Sequence, residues 1–295
     1  MTSFKTTISR NLILKTLGAS IIGAKCSSLI ASKSSYFPIG ATDWSIGGKQ
    51  HIKAFEIAKE IGLEGLQVSF STPGSEYDLR DKKVRELYYK RSEETSVRIA
   101  SLGMGILNQL PLSTHPEAID WVADAIEVMA TMKKEQPCNA PEVCLLAFFG
   151  KGNINGKPDL MDAVAKKLKT IIKRAEDAGV VFGIESLMSA DDHLKIIDAV
   201  GSNSLQVYYD TANSNRMGYD IYKEVVQLGV DRICETHCKE NGAHLGEGVI
   251  DFPRFKTCLE KIGYKDWLII EGAMPKGADI VPAYRKNFQF LNKLF

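Results

Sequence analysis

Four side chains of metal-binding type each stand at the end of a short β-like run in the second half of the chain. They are Glu185, Asp210, His237 and Glu271. Three carboxylates and one imidazole suit a hard or borderline divalent cation such as Mn²⁺, Mg²⁺, Co²⁺ or Zn²⁺, and no thiolate is needed. One such residue alone would mean little, because a carboxylate that closes a strand is more often a helix N-cap.

The four runs follow one another along the chain, which changes what their last residues imply. If the runs are neighbouring strands of one parallel sheet, their carboxyl ends lie at the same edge. The four side chains would then meet at one point. The sequence therefore predicts a single divalent-metal site at that edge.

The elements that must position these residues show up as an alternation of short apolar runs and amphipathic stretches of helical period. Eight such units, with no glycine-rich phosphate loop after any strand, favour a closed (β/α)₈ barrel over an open doubly wound sheet. We expect one catalytic barrel domain over residues 36–295, with Gly62 and Gly179 ending two of its helices. The predicted strands are 37–42, 65–70, 98–106, 143–149, 180–185, 205–210, 232–237 and 267–271. The predicted helices are 52–61, part of 82–102, 116–132, 160–178, 191–200, 220–228, 253–262 and 280–294.

Composition indicates which kinds of binding partner the protein has. The formal net charge of +1 over 295 residues argues against a nucleic-acid surface and favours small neutral or weakly anionic ligands. Six dispersed cysteines with no Cys-x-x-Cys pair suggest neither a zinc knuckle nor a dense disulfide framework. Strand alternation predicts that Cys234 turns away from the face of His237 and packs behind the sheet. The sequence does not determine the oligomeric state, and a homo-oligomer is one possibility.

Residues 1–35 resemble an export signal, because Lys5 and Arg10 precede the apolar stretch 12–22. The residues around Arg10 resemble the twin-arginine motif, with Asn11 where the second arginine belongs. We expect export to the periplasm by the twin-arginine or the general secretory route. The alternative is an amphipathic helix kept in a cytoplasmic protein. No later segment reaches the roughly 18 uninterrupted apolar residues that a membrane span needs.

Five segments match the pattern of a known family: Ile184-Glu185, Tyr209-Asp210-Thr211-Ala212-Asn213, Thr236-His237-Cys238-Lys239, the segment 245–252, and Ile270-Glu271-Gly272. Through them the chain resembles the xylose isomerase-like TIM barrel superfamily, in particular the sugar and sugar-phosphate isomerase/epimerase group with its ketose 3-epimerases and inosose dehydratases. The resemblance implies that the four residues named at the outset hold one divalent metal ion. It also implies that Glu185 and Glu271 transfer protons.

The chemistry of such a site follows from general principles. A divalent ion that binds a carbonyl and an adjacent hydroxyl acidifies the neighbouring C–H and stabilises an enediolate. Two carboxylates nearby can serve as base and acid. We expect a metal-dependent isomerase or epimerase of a sugar or keto-sugar. The alternatives are a metal-dependent lyase or hydratase on a keto-sugar or keto-glycoside, and a sugar-binding barrel without turnover.

The chain departs from the family pattern at residues that are expected to bind the substrate. Asn213 stands where ketose 3-epimerases have a histidine, and Ala243 and His244 stand where they have an arginine. We expect substrate contacts from Asn213, Lys239, His244 and Trp44, the last by stacking on a sugar ring. The structural alternatives are a loop-capping Asn, a solvated Lys, a surface His and a rim Trp. For Asn108, near another strand end, the structural role is favoured.

A barrel endonuclease of the apurinic-site type is a further enzyme class to weigh. Such enzymes gather three zinc ions with many histidines, whereas this chain has five. Three of these, His51, His115 and His193, lie near predicted helix starts rather than strand ends. The sequence therefore disfavours this class.

Overall fold

The computed structural model describes residues 37–295, and the segment 1–35 lies outside this range. Eight parallel strands pair in sequence order, and the last pairs with the first to close a barrel. The predicted (β/α)₈ TIM barrel is therefore confirmed. The strands are β1 Ile39–Thr42, β2 Gly65–Ser69, β3 Arg98–Met104, β4 Val143–Ala147, β5 Val181–Glu185, β6 Leu205–Asp210, β7 Ile233–Cys238 and β8 Leu268–Ile270.

Helices lie between the strands, and none of those within the described range is long and apolar enough to cross a membrane. Gly62 and Gly179 each end a helix in the left-handed conformation, as predicted. The helices are α1 Ala54–Ile61, α2 Lys82–Thr95, α3 Ala118–Glu135, α4 Pro158–Lys169, α5 Ile172–Ala178, α6 Ala190–Val200, α7 Thr211–Arg216, α8 Ile221–Leu228, α9 Phe252–Ile262 and α10 Ile280–Leu294.

Two helices differ from the sequence prediction. The single helix predicted for 160–178 is interrupted at Thr170, whose N–H and hydroxyl both donate to the Lys167 carbonyl and compete with the α-helical ladder. The short helix α7 was not predicted. Its polar sequence forms weak helices, and it begins here because the Asp210 side chain caps it by accepting from the Asn213 N–H.

An irregularity in the pairing of β6 with β7 changes one side chain's direction. Val207 pairs with Ile233 and Tyr208 pairs with Glu235, so Cys234 is an extra residue in β7. It packs inside the barrel in one cluster with Tyr208, and a Cβ at Gly183 would lie 2.6 Å from its Sγ. The prediction that Cys234 lies behind the sheet is therefore wrong, because the bulge breaks the alternation on which it rested.

Candidate active site

The carboxyl ends of β5 to β8 bring four predicted side chains to one point. One ligand atom from each lies within 4.8 Å of those of the other three. Three of the residues are buried, and the fourth, Glu271, keeps 14% of its side chain exposed toward the barrel mouth. The four are Glu185, Asp210, His237 and Glu271. Neighbouring strands in register account for this convergence of residues far apart in the chain.

Gln67, a residue of β2, fixes the orientation of the His237 ring. Its Nε2 lies 2.8 Å from Gln67 Oε1, and its Nδ1 lies 3.0 Å from Glu185 Oε1 and 3.6 Å from Glu271 Oε2. Because an amide oxygen can only accept, Nε2 carries a proton and Nδ1 faces the carboxylates. Burial opposes a charge on the imidazole, but Glu185 and Glu271 raise the pKa of His237 to about 9.

The two carboxylate oxygens of Asp210 have different contacts. Oδ1 accepts from the Asn213 N–H at 2.7 Å, whereas Oδ2 is buried without a hydrogen-bond partner among the described residues. Burial raises the pKa of Asp210 to about 7. A buried carboxylate oxygen that lacks a donor is unusual, and here it points into a group of other ligand-type atoms.

Glu271 is held by two donors. Trp44 Nε1 donates to Oε1 at 2.7 Å, and Lys239 Nζ donates to Oε2 at 2.6 Å. Burial disfavours the carboxylate, but the charges of His237 and Lys239 hold the pKa of Glu271 below its usual range. Burial likewise opposes the ammonium of Lys239, but Asp210 and Glu271 hold its pKa above the usual range. The two groups therefore form an ion pair at neutral pH.

The donor set fits a divalent cation. It combines one imidazole nitrogen with carboxylate oxygens, among them Asp210 Oδ2, which accepts no hydrogen bond within the described residues, and such groups are ligands for Mg²⁺, Mn²⁺ and related ions. Gln67 supplies the outer hydrogen bond that metal-binding histidines usually make. A cation at this place would share the oxygens that Lys239 contacts.

A cavity of about 400 Å³ opens beside this cluster and is lined by two of its residues, Glu185 and Glu271. Among the predicted substrate-binding residues, Trp44, Asn213 and Lys239 line it, whereas His244 is not among its lining residues. Asn213 donates to Glu185 Oε1 at 3.2 Å through Nδ2 and accepts from the Arg216 guanidinium through Oδ1.

Two residues of the site, Gln67 and Arg216, were not predicted from the sequence. Arg216 lines the cavity and follows Asn213 by one helical turn, which is the only signal that marked it. Gln67 is a lone amide within a strand of otherwise apolar or small residues, which hints at an inward polar role but names no partner.

The other histidines form no second site. Within residues 37–295, a single group of His, Cys, Asp and Glu side chains is arranged to hold a metal ion. His193 is buried, contacts Ser186 Oγ at 2.9 Å and the Ser189 carbonyl at 3.0 Å, and burial lowers its pKa to about 4.

The protein is therefore a closed parallel α/β barrel with a candidate metal centre. Three acids and a histidine form this centre at the carboxyl end of the barrel. Residues 55–294 match the family model described as the xylose isomerase-like TIM barrel, and the chain belongs to that family. This confirms the resemblance seen in the sequence.

Known relatives are sugar epimerases. The L-ribulose-5-phosphate 3-epimerase UlaE of Escherichia coli O157:H7 is 22% identical over 263 residues, covering 81% of this chain and 88% of the relative. A solved L-ribulose 3-epimerase superposes with a TM-score of 0.69 at 18% identity, covering 88% of this chain and 94% of that one. The 3-keto-D-glucoside 4-epimerase YcjR from E. coli gives 0.68 at 15% identity, covering 88% and 100%. The structural likenesses show a shared fold.

Proposed function

We propose that the protein is a divalent-metal-dependent sugar epimerase or isomerase that transfers protons next to a carbonyl. The observation that carries the proposal is the convergence of four ligand atoms within 4.8 Å, two of them from glutamates on different strands. The relatives add support, since they are named as epimerases of L-ribulose-5-phosphate and L-ribulose.

Glu185, Asp210, His237 and Glu271 would hold the ion. When bound, a divalent cation polarises a carbonyl and acidifies the neighbouring C–H. Gln67 keeps Nδ1 of His237 directed at this point, and the Asn213 N–H keeps Asp210 Oδ2 free to face it.

The two glutamates would move the proton. Glu271 is ionised at neutral pH and open to the cavity, so it suits the role of base. Glu185 lines the same cavity and, in its protonated form, would give its own proton to the enediolate, with Asn213 holding its carboxyl group, while the proton taken by Glu271 exchanges with solvent. Return to the opposite face of the same carbon gives an epimer, and return to the neighbouring carbon gives an isomer. The Lys239 ammonium would stabilise the negative charge that develops on the substrate oxygen.

A lyase or hydratase on a keto-sugar or keto-glycoside is the second candidate. The observation that favours it is the ammonium of Lys239 in the cavity beside Glu271, where it could also stabilise a departing oxygen. The same proton removal would then expel a group on the next carbon.

Incubation of the Mn²⁺-loaded protein with keto-sugars in heavy water separates these chemistries. An epimerase or isomerase incorporates solvent deuterium next to the carbonyl, and the sugar loses none of its oxygen substituents. A lyase releases water or an alcohol. Glu185→Gln and Glu271→Gln should abolish both outcomes while the variants keep the fold. Full activity in either variant would remove that glutamate from the mechanism, and a sugar-binding barrel without turnover would show neither exchange nor elimination with any substrate.

We also propose that residues 1–35 direct export to the periplasm, on the strength of their basic start and apolar stretch. Cell fractionation with N-terminal sequencing of the purified protein tests this. A mature protein in the periplasm that starts after the apolar stretch is expected, and an intact cytoplasmic chain would contradict it.

A further inference from the structure

Glu271 lies just beyond the end of its strand. Strand β8 ends at Ile270, and the Glu271 N–H donates to the Cys238 carbonyl at 3.3 Å. Gly272 follows with a φ of +59°, so the chain turns in the left-handed conformation directly after Glu271. The pairing of β8 with its neighbours therefore does not by itself determine where the Glu271 carboxyl group points.

The last helix, α10, binds the two residues that follow Glu271. The Tyr284 hydroxyl accepts from the Gly272 N–H at 2.7 Å, and Asn287 Nδ2 donates to the Ala273 carbonyl. Tyr284 and Asn287 both belong to α10 and stand three residues apart, which places them on the same face of the helix. The turn after Glu271 is therefore fixed to this helix face at two successive residues.

Asn287 also binds the loop that follows β7. Its Oδ1 accepts from the Leu245 N–H at 2.9 Å. This loop begins with Lys239, whose Nζ donates to Glu271 Oε2 at 2.6 Å. One amide group thus connects the two loops whose first residues form the ion pair of the site.

Tyr284 is linked to the other hydrogen-bond partner of Glu271. Burial raises the pKa of Tyr284 to about 12, and a hydrogen bond with the Ser45 side chain lowers it to a smaller extent. Ser45 follows Trp44, whose Nε1 donates to Glu271 Oε1. The hydroxyl keeps its proton at neutral pH, so it can donate to Ser45 while it accepts from Gly272.

The polar groups of Tyr284 and Asn287 are not needed to fill space. Both side chains are buried, with 0% exposed. A buried hydroxyl or amide group costs free energy unless its hydrogen bonds are made, and a phenyl or isobutyl group would occupy similar space without that cost. What the two polar groups add is the fixed position of the backbone beyond Glu271.

We propose that Tyr284 and Asn287 are positioning residues that hold the Glu271 carboxyl group toward the other candidate metal ligands. The inference rests on the proposed function for the task of Glu271. Neither positioning residue is among those that line the cavity, so both act through Glu271 rather than on the substrate.

Tyr284→Phe removes one hydroxyl group and keeps the ring. We expect crystals of this variant to show the Glu271 carboxyl group displaced, with its Oε1 beyond hydrogen-bonding range of Trp44 Nε1. Calorimetric titration with Mn²⁺ should show binding weakened by about tenfold, since groups that orient a metal ligand have effects of this size. An unmoved Glu271 carboxyl group would overturn the proposal.

Tyr264→Phe is the matched control. Tyr264 is also buried, and its hydroxyl donates to the Trp267 carbonyl at 2.7 Å, just before the other end of β8. This variant loses a comparable hydrogen bond, so its melting temperature should fall by a similar amount. Its Mn²⁺ affinity and its Glu271 position should stay unchanged, and equal losses of Mn²⁺ affinity in the two variants would contradict the positioning role.

A double-mutant cycle separates positioning from a general loosening of the fold. In a Glu271→Ala background, Tyr284→Phe should no longer change the Mn²⁺ affinity, because the group that it positions is absent. Asn287→Leu should behave in the same way. An unchanged tenfold loss in the Glu271→Ala background would overturn the assignment of the residue that causes it.

The two proposals fail separately. The position of Glu271 in crystals of Tyr284→Phe depends on neither metal nor turnover, so an unmoved carboxyl group sinks only the positioning role. A displaced carboxyl group, together with no exchange or elimination on any keto-sugar by the unchanged protein, sinks only the catalytic function.

Discussion

Gln67 Oε1 accepts a hydrogen bond from His237 Nε2 at 2.8 Å, across 170 residues of sequence, and so turns Nδ1 of the imidazole toward Glu185. The hydrogen bond links a strand with no metal-ligand residue to the centre of the site. Such outer partners orient metal ligands and raise their basicity.

Gln67→Leu should therefore weaken Mn²⁺ binding by about 10- to 100-fold, because the imidazole loses the acceptor that fixes its tautomer. Gln67→Glu keeps an acceptor at the same place and is the matched control, with affinity retained or increased. Calorimetric titration gives both values. Equal affinity of Gln67→Leu and the unchanged protein would show that His237 is oriented by other contacts.

Metal binding should release protons. The pKa of Asp210 is raised to about 7 by burial, and that of His237 is raised to about 9 by Glu185 and Glu271 despite burial. Both groups bind a cation only after losing their protons, so affinity should fall as the pH drops below these values. Titration in two buffers of different ionisation enthalpy counts the protons released. A count of zero at neutral pH would contradict the pKa directions.

Gly103 makes room for Trp44. A Cβ at this position would lie 2.8 Å from the Trp44 ring, whose Nε1 donates to Glu271 Oε1. Gly103→Ala should displace the indole and lower kcat by roughly tenfold or more, the effect of losing a charge-assisted hydrogen bond of about 1.5–3 kcal/mol. Metal affinity should change less.

Gly105 offers the matched control for Gly103→Ala, because a Cβ there meets nothing within 4 Å. Gly105 also lines the cavity, so Gly105→Ala adds a methyl group there without touching Trp44 and should lose much less activity than Gly103→Ala. Equal losses in the two variants would mean that the added methyl group acts on the loop rather than through Trp44.

The sequence predicted the fold and the four-residue cluster because both depend on regular patterns. Alternating apolar and amphipathic runs predict strand and helix in turn, and parallel strands place their last residues at one edge. Glu185, Asp210 and His237 are each the residue at which such a pattern stops, so their convergence follows once the barrel closes.

Other features depend on contacts that no local pattern records. Gln67 meets His237 only because the barrel closes, and the inward direction of Cys234 depends on one extra residue in β7.

Glu235 is a buried acid inside the barrel that should make stability depend on pH. Ser101 and Tyr208 donate to its Oε2, each at 2.7 Å, and burial raises its pKa to about 8 from an ordinary value of 4.5. A carboxyl whose pKa is higher in the folded state stabilises the fold fully below the unfolded pKa, and this contribution disappears as the pH rises through the folded pKa.

Glu235→Gln cannot ionise and should escape this loss. The melting temperature of the variant minus that of the unchanged protein should therefore increase as the pH rises from about 5 to about 8.5. Thermal unfolding at several pH values measures the difference. A constant difference across this range would show that Glu235 does not titrate there.

Anomalous diffraction from crystals grown with Mn²⁺ tests most directly whether four distant residues share one cation. We predict a single strong manganese peak at the carboxyl end of the barrel, within about 2.0–2.4 Å of an oxygen or nitrogen from each of Glu185, Asp210, His237 and Glu271. No manganese peak at this cluster, or one that fewer than three of these residues contact, would contradict the proposed metal centre and the enediolate chemistry built on it.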